Sequence, residues 1–199
     1  MSENKPRALI AFASAMVLII GAIGVFALNT SSPITEVDYT PNVEMIEMAE
    51  ETVEMDIYPD MPYSFDYMTE GVQQHLDRDY TYDVIPWELK GGLLFQGIHR
   101  PQAGTSIRMR LLQPATVYFF FHSKTDGGYT EIFEQLPGWK KMETAPQYDV
   151  NNGDHGLDMT MYELEAQAGT IEIPPTTKDR ACFNIVFQSP FGKLAEPGS

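Results

Sequence analysis

The sequence predicts a mainly β protein: an antiparallel β-sandwich of jelly-roll-like type, preceded by one transmembrane helix and an acidic linker. Three observations carry this. Residues 8–28 are uncharged, residues 29–76 hold acids without a single Lys or Arg, and short period-two runs between turn residues fill the chain from Asp77 onward.

The uncharged run counts 21 residues, Ala8 to Leu28, and includes Met16-Val17-Leu18-Ile19-Ile20. As a helix it spans about 32 Å, close to a hydrocarbon thickness of about 30 Å. Lys5 and Arg7 precede it and the first charge after it is Glu36. The positive-inside rule then keeps the N-terminus in the cytoplasm and sends the rest to the periplasmic or extracellular side. Residues 1–28 read as a cytoplasmic tip and an anchor whose partner is membrane lipid. The alternative is a secreted protein released by signal-peptide cleavage near Val25-Phe26-Ala27, although the run exceeds the usual hydrophobic core of roughly 7–15 residues.

Residues 29–76 carry 11 acids and read as a linker or partner-docking segment. Val43 to Glu54 has the pattern of a short helix with Ile46, Ala49 and Val53 on one face, and Pro59 and Pro62 end it. Met45, Met48, Met55, Met61 and Met68 are thioethers of the kind that suit Cu(I). They show no tight repeat and have only His75 nearby, so they read as adaptable apolar contacts. The formal charge of −15 has no clustered basic counterpart, which excludes nucleic acid as a partner.

The globular part is expected over 77–190, with 191–199 as a tail. Its strand-like runs are 93–98, 105–111, 115–121, 157–162, 170–173 and 181–188, separated by turn material such as Thr125-Asp126-Gly127-Gly128. Ile107, Met109 and Leu111 share one face with Arg108 and Arg110 on the other. The run Ala115 to Phe121 is apolar on both faces, as a central strand requires.

A series of short motifs runs through this part in order: Asp77-Arg78-Asp79-Tyr80, Ile85-Pro86, Leu89, Gly91, Ala115-Thr116-Val117-Tyr118-Phe119, Leu136-Pro137-Gly138-Trp139 and Ala168-Gly169-Thr170-Ile171. The series, over about residues 76–188, resembles a jelly-roll accessory domain of exported bacterial proteins, often associated with polysaccharide-active modules. The resemblance implies a β-sandwich and an accessory role. It carries over no catalytic residue, and Phe95 to Gly104 departs from the pattern.

Candidate chemistry is sparse. His75, His99, His122 and His155 are scattered, without His-x-His and without a recognisable metal spacing to Cys182, the one cysteine, which reads as a small buried hydrophobe. Ser106 and Ser123 lie in no nucleophile elbow. The loop from Asp149 to Asp158 crowds hard oxygen donors among two glycines, so Asp149, Asn151, Asp154 and Asp158 form a candidate Ca2+ site, with an ordinary polar hairpin as the plainer reading. Beyond calcium, no cofactor is expected. Trp87, Trp139 and Tyr129 are candidate ligand-binding aromatics, since such rings stack on sugars or anchor interfaces. The leading expectation is therefore a membrane-tethered, extracytoplasmic, non-catalytic binding or scaffolding module for a glycan or protein. A single-span accessory subunit whose acidic segment docks on a partner is the second, and a hydrolase the third.

Overall fold

The computed structural model describes residues 43–150, 153–178 and 181–188, with side chains from Met48 onward. The expected anchor 8–28, the start of the acidic segment, Asn151 and the tail 191–199 lie outside the described residues. Among the described residues, no helix is long and apolar enough to cross a membrane.

The chain runs α1 (Val43–Thr52), β1 (Val53–Tyr58), β2 (Ser64–Tyr67), β3 (Gln73–His75), β4 (Arg78–Val84), β5 (Leu93–Gln96), β6 (Ser106–Leu111) and β7 (Ala115–His122). It continues with α2 (Tyr129–Phe133), β8 (Lys140–Lys141), β9 (Gln147–Val150), β10 (Asp154–Ala166), β11 (Gly169–Ile173) and β12 (Phe183–Gln188). All strand pairs are antiparallel. The architecture is mainly β, and each of the six runs marked by sequence periodicity contains a strand.

Three strands form a small sheet in the order β1-β6-β11. Ile107, Met109 and Leu111 of β6 point inward opposite Ile57, Met55 and Val53 of β1. Arg108 and Arg110 point outward, where Arg108 pairs with Glu172 at 2.7 Å and Arg110 with Glu54. Glu54 of the acidic segment is therefore paired with an arginine 56 residues along the chain. Within 29–76, Val53–His75 supplies three paired strands, and the β unit starts well before Asp77. The physical reason is that Val53, Met55 and Ile57 alternate with Glu54 and Asp56: the acids occupy only the solvent face.

The larger sheet has the order β2-β5-β12-β7-β10-β9-β4-β3, with β8 added beside β10. Its centre is apolar on both faces. Val117, Phe119 and Phe121 of β7 and Phe183, Ile185 and Phe187 of β12 pack toward one core. Tyr118, Phe120 and Val186 pack toward a second. The sheet curls into a half-barrel around that second core. Strand β10, 13 residues long, makes the bend: its C-terminal part pairs with β7 and its N-terminal part with β9, across a register shift between Asp154 and Leu157. Further shifts at Gln73/His75 and Tyr82/Val84 add twist.

The curl brings β3 back over β5 and β12. There the Leu76 amide donates to the Gly97 carbonyl at 3.0 Å, and Gln96 Nε2 donates to the Gln73 carbonyl. Asn184 Nδ2 donates to the Gln74 carbonyl at 2.7 Å and the Phe95 carbonyl at 3.2 Å, while Asn184 Oδ1 accepts from the Tyr82 hydroxyl at 2.9 Å.

The two kinds of contact differ greatly in weight. Phe119 is fully buried, with Phe133 at 4.7 Å, Tyr129 at 4.9 Å and Phe183 at 5.3 Å between ring centroids. Phe119→Ala is expected to cost about 3–5 kcal/mol. Arg110→Ala, at an exposed pair, should cost below about 1 kcal/mol. Urea midpoints of the two variants check the ranking, and equal losses would contradict the assignment of β7 to the core.

Candidate metal centre

Four buried side chains converge at the open end of the curled sheet: His75, His99, His122 and Cys182, whose donor atoms all lie within 4.8 Å of one another. The topology puts them there. His122 is the last residue of β7, and Cys182 stands just before β12. The register pairing Phe183 with Phe121 sets Cys182 opposite His122. Alternation then turns both toward the second core, like Phe120 and Asn184. His75 ends β3, which the curl folds back over the sheet. His99 follows β5 by three residues, and its backbone amide donates to Asp77 Oδ1 at 2.7 Å.

Local backbone chemistry supports Cys182. Gly127, at φ 62°, lies so close to Ala181 that an added Cβ would come within 2.4 Å of the Ala181 Cα. A glycine is required there, both for the positive φ and for the approach that packs this loop beside the thiol.

The His122 ring is held from behind. Gln74, itself fully buried, donates from Nε2 to the Met159 sulfur at 3.4 Å and presents Oε1 to His122 Nε2 at 3.0 Å. With Oε1 as acceptor, His122 carries its proton on Nε2 and has its lone pair on Nδ1. The same ring stacks on Tyr148 at 4.1 Å and 8°. His75 has no hydrogen-bond partner on either ring nitrogen, and His99 has none on Nδ1. The Gly97 carbonyl pulls the His75 pKa upward, but it already accepts from Leu76 and lies outside hydrogen-bond geometry with the ring. Buried polar atoms without partners are costly, so these nitrogens mark where a ligand belongs.

Electrostatics keeps the imidazoles neutral. Burial is the largest cause in each case, followed by neighbouring positive charge. His75 is pushed well below its ordinary value by burial, by His122 and His99, and by Arg78. His99 falls to about 4 through burial, Arg100 and Arg78, against Asp77. His122 falls to about 3 through burial and His99. Burial pushes the Cys182 thiol up to about 11, against hydrogen bonds from the His122 and Cys182 amides and the Thr125 hydroxyl. A coordinated metal ion reverses that last preference by deprotonating the thiol outright.

Three imidazoles and a thiolate are the donors of zinc and copper sites. With bonds of about 2.0–2.3 Å, a tetrahedron has donor–donor edges of about 3.3–3.7 Å. The donors, all within 4.8 Å of one another, lie near this size. Four protein donors leave no position for a reacting water, which distinguishes the centre from a hydrolytic one.

The residues singled out by sequence fall elsewhere. Asp149 Oδ1 accepts from the Gly156 amide at 2.9 Å, and its Oδ2 meets His155 Nδ1 at 2.6 Å. Asp158 Oδ1 accepts from Gln147 Nε2 at 2.8 Å. Asp154 is exposed, Asn151 lies outside the described residues, and among the described residues these carboxylates form no converging cluster. Trp139 packs edge-on against Phe133 at 4.8 Å, and Tyr129 is fully buried against Phe119. Trp87 is 62% exposed and flanks an open groove of about 710 Å3 with Pro86, Met142, Pro146 and Met159. The metal-ligand set escaped sequence reasoning because its members are 23 to 60 residues apart. The available signal was positional: each donor ends, follows or precedes a strand-like run or a strand of the curled sheet.

No family model matches the sequence, and no curated protein matches it. The fold is similar to part of a solved structure of a β-glucuronidase from glycoside hydrolase family 2, at 11% identity and a TM-score of 0.51. The match covers 68% of this chain and 14% of that one, and at this identity it shows the fold alone.

Two outcomes follow from this geometry. Gln74→Leu frees the His122 ring without touching a ligand, so zinc affinity should fall about 10–100-fold. Competition with a chromophoric chelator reads this, and unchanged affinity with intact circular dichroism would remove Gln74 from the centre. In metal-free protein, unfolding lets three depressed histidines take up protons below about pH 6.5. Their contribution is intact above that pH and is lost as pH falls toward about 4, the His99 value, and on toward about 3, that of His122. Urea midpoints should therefore drop steeply between about pH 7 and pH 5, and a flat profile would contradict the burial of the rings.

Proposed function

We propose that the protein is a membrane-tethered, extracytoplasmic, non-catalytic module whose jelly-roll-like β domain holds one ion of the zinc or copper class on His75, His99, His122 and Cys182. The observation that carries the reading is the convergence of four buried nitrogen and sulfur donors, with unpartnered ring nitrogens on His75 and His99, within 4.8 Å of one another. Coincidence is a poor account of it, because three unpaired imidazole nitrogens and a thiol in one pocket are destabilising unless something binds them.

The uncharged run 8–28 with Lys5 and Arg7 before it supports the tether, and membrane lipid is its partner. Residues between the run and α1 act as the spacer. The exposed Trp87 beside the groove supports a glycan or protein ligand at the surface, separate from the buried centre. The fold-level likeness to part of a glycosidase accords with an accessory role next to polysaccharide chemistry.

The test is metal analysis of the full chain, extracted in detergent and desalted. About one zinc or copper ion per chain is expected. His122→Ala and Cys182→Ser should each lose most of it while retaining the β-sheet circular dichroism spectrum. Absence of metal as purified, together with no uptake on titration with zinc or copper, would overturn the reading.

A further inference from the structure

We propose that the ion is copper, cycling between Cu(I) and Cu(II), so that the centre is a one-electron relay; this rests on the metal-centre reading above. The donors point this way first. They are borderline imidazole nitrogens and one soft sulfur, with no carboxylate among them: Asp77, the nearest acid, is committed to the His99 amide at 2.7 Å and Arg78 at 3.3 Å. Such a set rejects magnesium, calcium and manganese, and the order of divalent affinities ranks copper above zinc for the same ligands.

Charge and rigidity point the same way. A single thiolate leaves the centre neutral with Cu(I) and singly positive with Cu(II). Both states are tolerable in a buried site, and the neutral one is favoured there. Groups that do not change with oxidation state hold three of the four ligands from outside: Gln74 and the Tyr148 stack on the His122 ring, Asp77 on the His99 backbone amide, and the Gly127–Ala181 contact beside Cys182. A centre that moves little between two states loses little to reorganisation.

The surroundings supply a way out for the electron. His122 stacks on Tyr148 at 4.1 Å, Tyr148 lies 6.0 Å from Tyr80, and Tyr80 meets His99 edge-on at 5.1 Å. Two ligands thus lead to one tyrosine pair, and Tyr80 is only partly buried. The step balances simply. Cu(I) loses one electron to an oxidised one-electron redox protein and becomes Cu(II); the thiolate keeps its charge, no bond breaks, and one electron from a reduced one-electron redox protein restores Cu(I).

The experiment loads full-length chain, in detergent, with one equivalent of zinc and titrates in Cu(II). Copper should displace zinc with a preference of at least about tenfold. It should raise an intense visible thiolate-to-Cu(II) absorption, bleached by ascorbate and restored by ferricyanide over repeated cycles. Cys182→Ser should abolish the absorption. Zinc that resists displacement would overturn the copper proposal and leave the metal-centre reading standing. So would Cu(II) that is consumed by irreversible oxidation of Cys182. Failure to bind either metal would overturn both.

Discussion

The closure of the curled sheet over its own second core is the constraint on which the rest depends, and Asn184 makes it. A fully buried amide in the middle of the run Phe183-Asn184-Ile185-Val186-Phe187 is costly unless every polar atom is paired. Here the amide meets a Tyr82 hydroxyl from β4 and carbonyls from β3 and β5. One side chain thus ties β12 to three strands from which it is 89 to 110 residues distant at the bonded residues. An apolar residue at this position would remove the bonds that tie β12 to β3, β4 and β5, leaving fewer contacts, among them Leu76 with Gly97 and Gln96 with Gln73, to hold β3 where His75 reaches the other donors. The polar group specifies the geometry of the curl, while the aromatic core supplies most of the stability.

The same architecture separates two kinds of surface chemistry. His75 at the end of β3, His122 at the end of β7 and Cys182 just before β12 are all buried. The groove beside Trp87 is open and lined by residues of mixed polarity. Met159 belongs to both places: it lines the groove and accepts a hydrogen bond from Gln74, whose other end holds His122. A ligand pressing on the groove floor is therefore two contacts from a metal ligand. The acids on the small sheet serve a simpler purpose. Glu54 and Glu172 meet Arg110 and Arg108 on an exposed face, where such pairs add solubility and register more than stability.

Much of the fold was legible in the sequence, because alternation and turn residues are local signals. The six runs from Leu93 to Gln188 each contain a strand, and the two-sided apolar run at Ala115 to Phe121 lies centrally, between β12 and β10. Strand β1 was hidden by its acids, which obscure the alternation of Val53, Met55 and Ile57. Strands β3, β8 and β9 are too short to show a period. The candidate site was illegible for a different reason. His75, His99, His122 and Cys182 share no motif, and only non-local pairing, the β7–β12 register and the return of β3, brings them together. By contrast, Asp149, Asp154 and Asp158 are close in sequence but spread along the β9–β10 hairpin, where Asp149 is spent on the Gly156 amide and His155 and Asp158 on Gln147.

X-ray absorption at the metal edge of the loaded full-length chain tests the central claim most directly. A first shell of three nitrogens at about 2.0 Å and one sulfur at about 2.3 Å is expected, with the outer-shell pattern of imidazole rings. A shell of oxygen and nitrogen alone, without sulfur, would contradict the assignment of Cys182 and with it the convergence of the four donors.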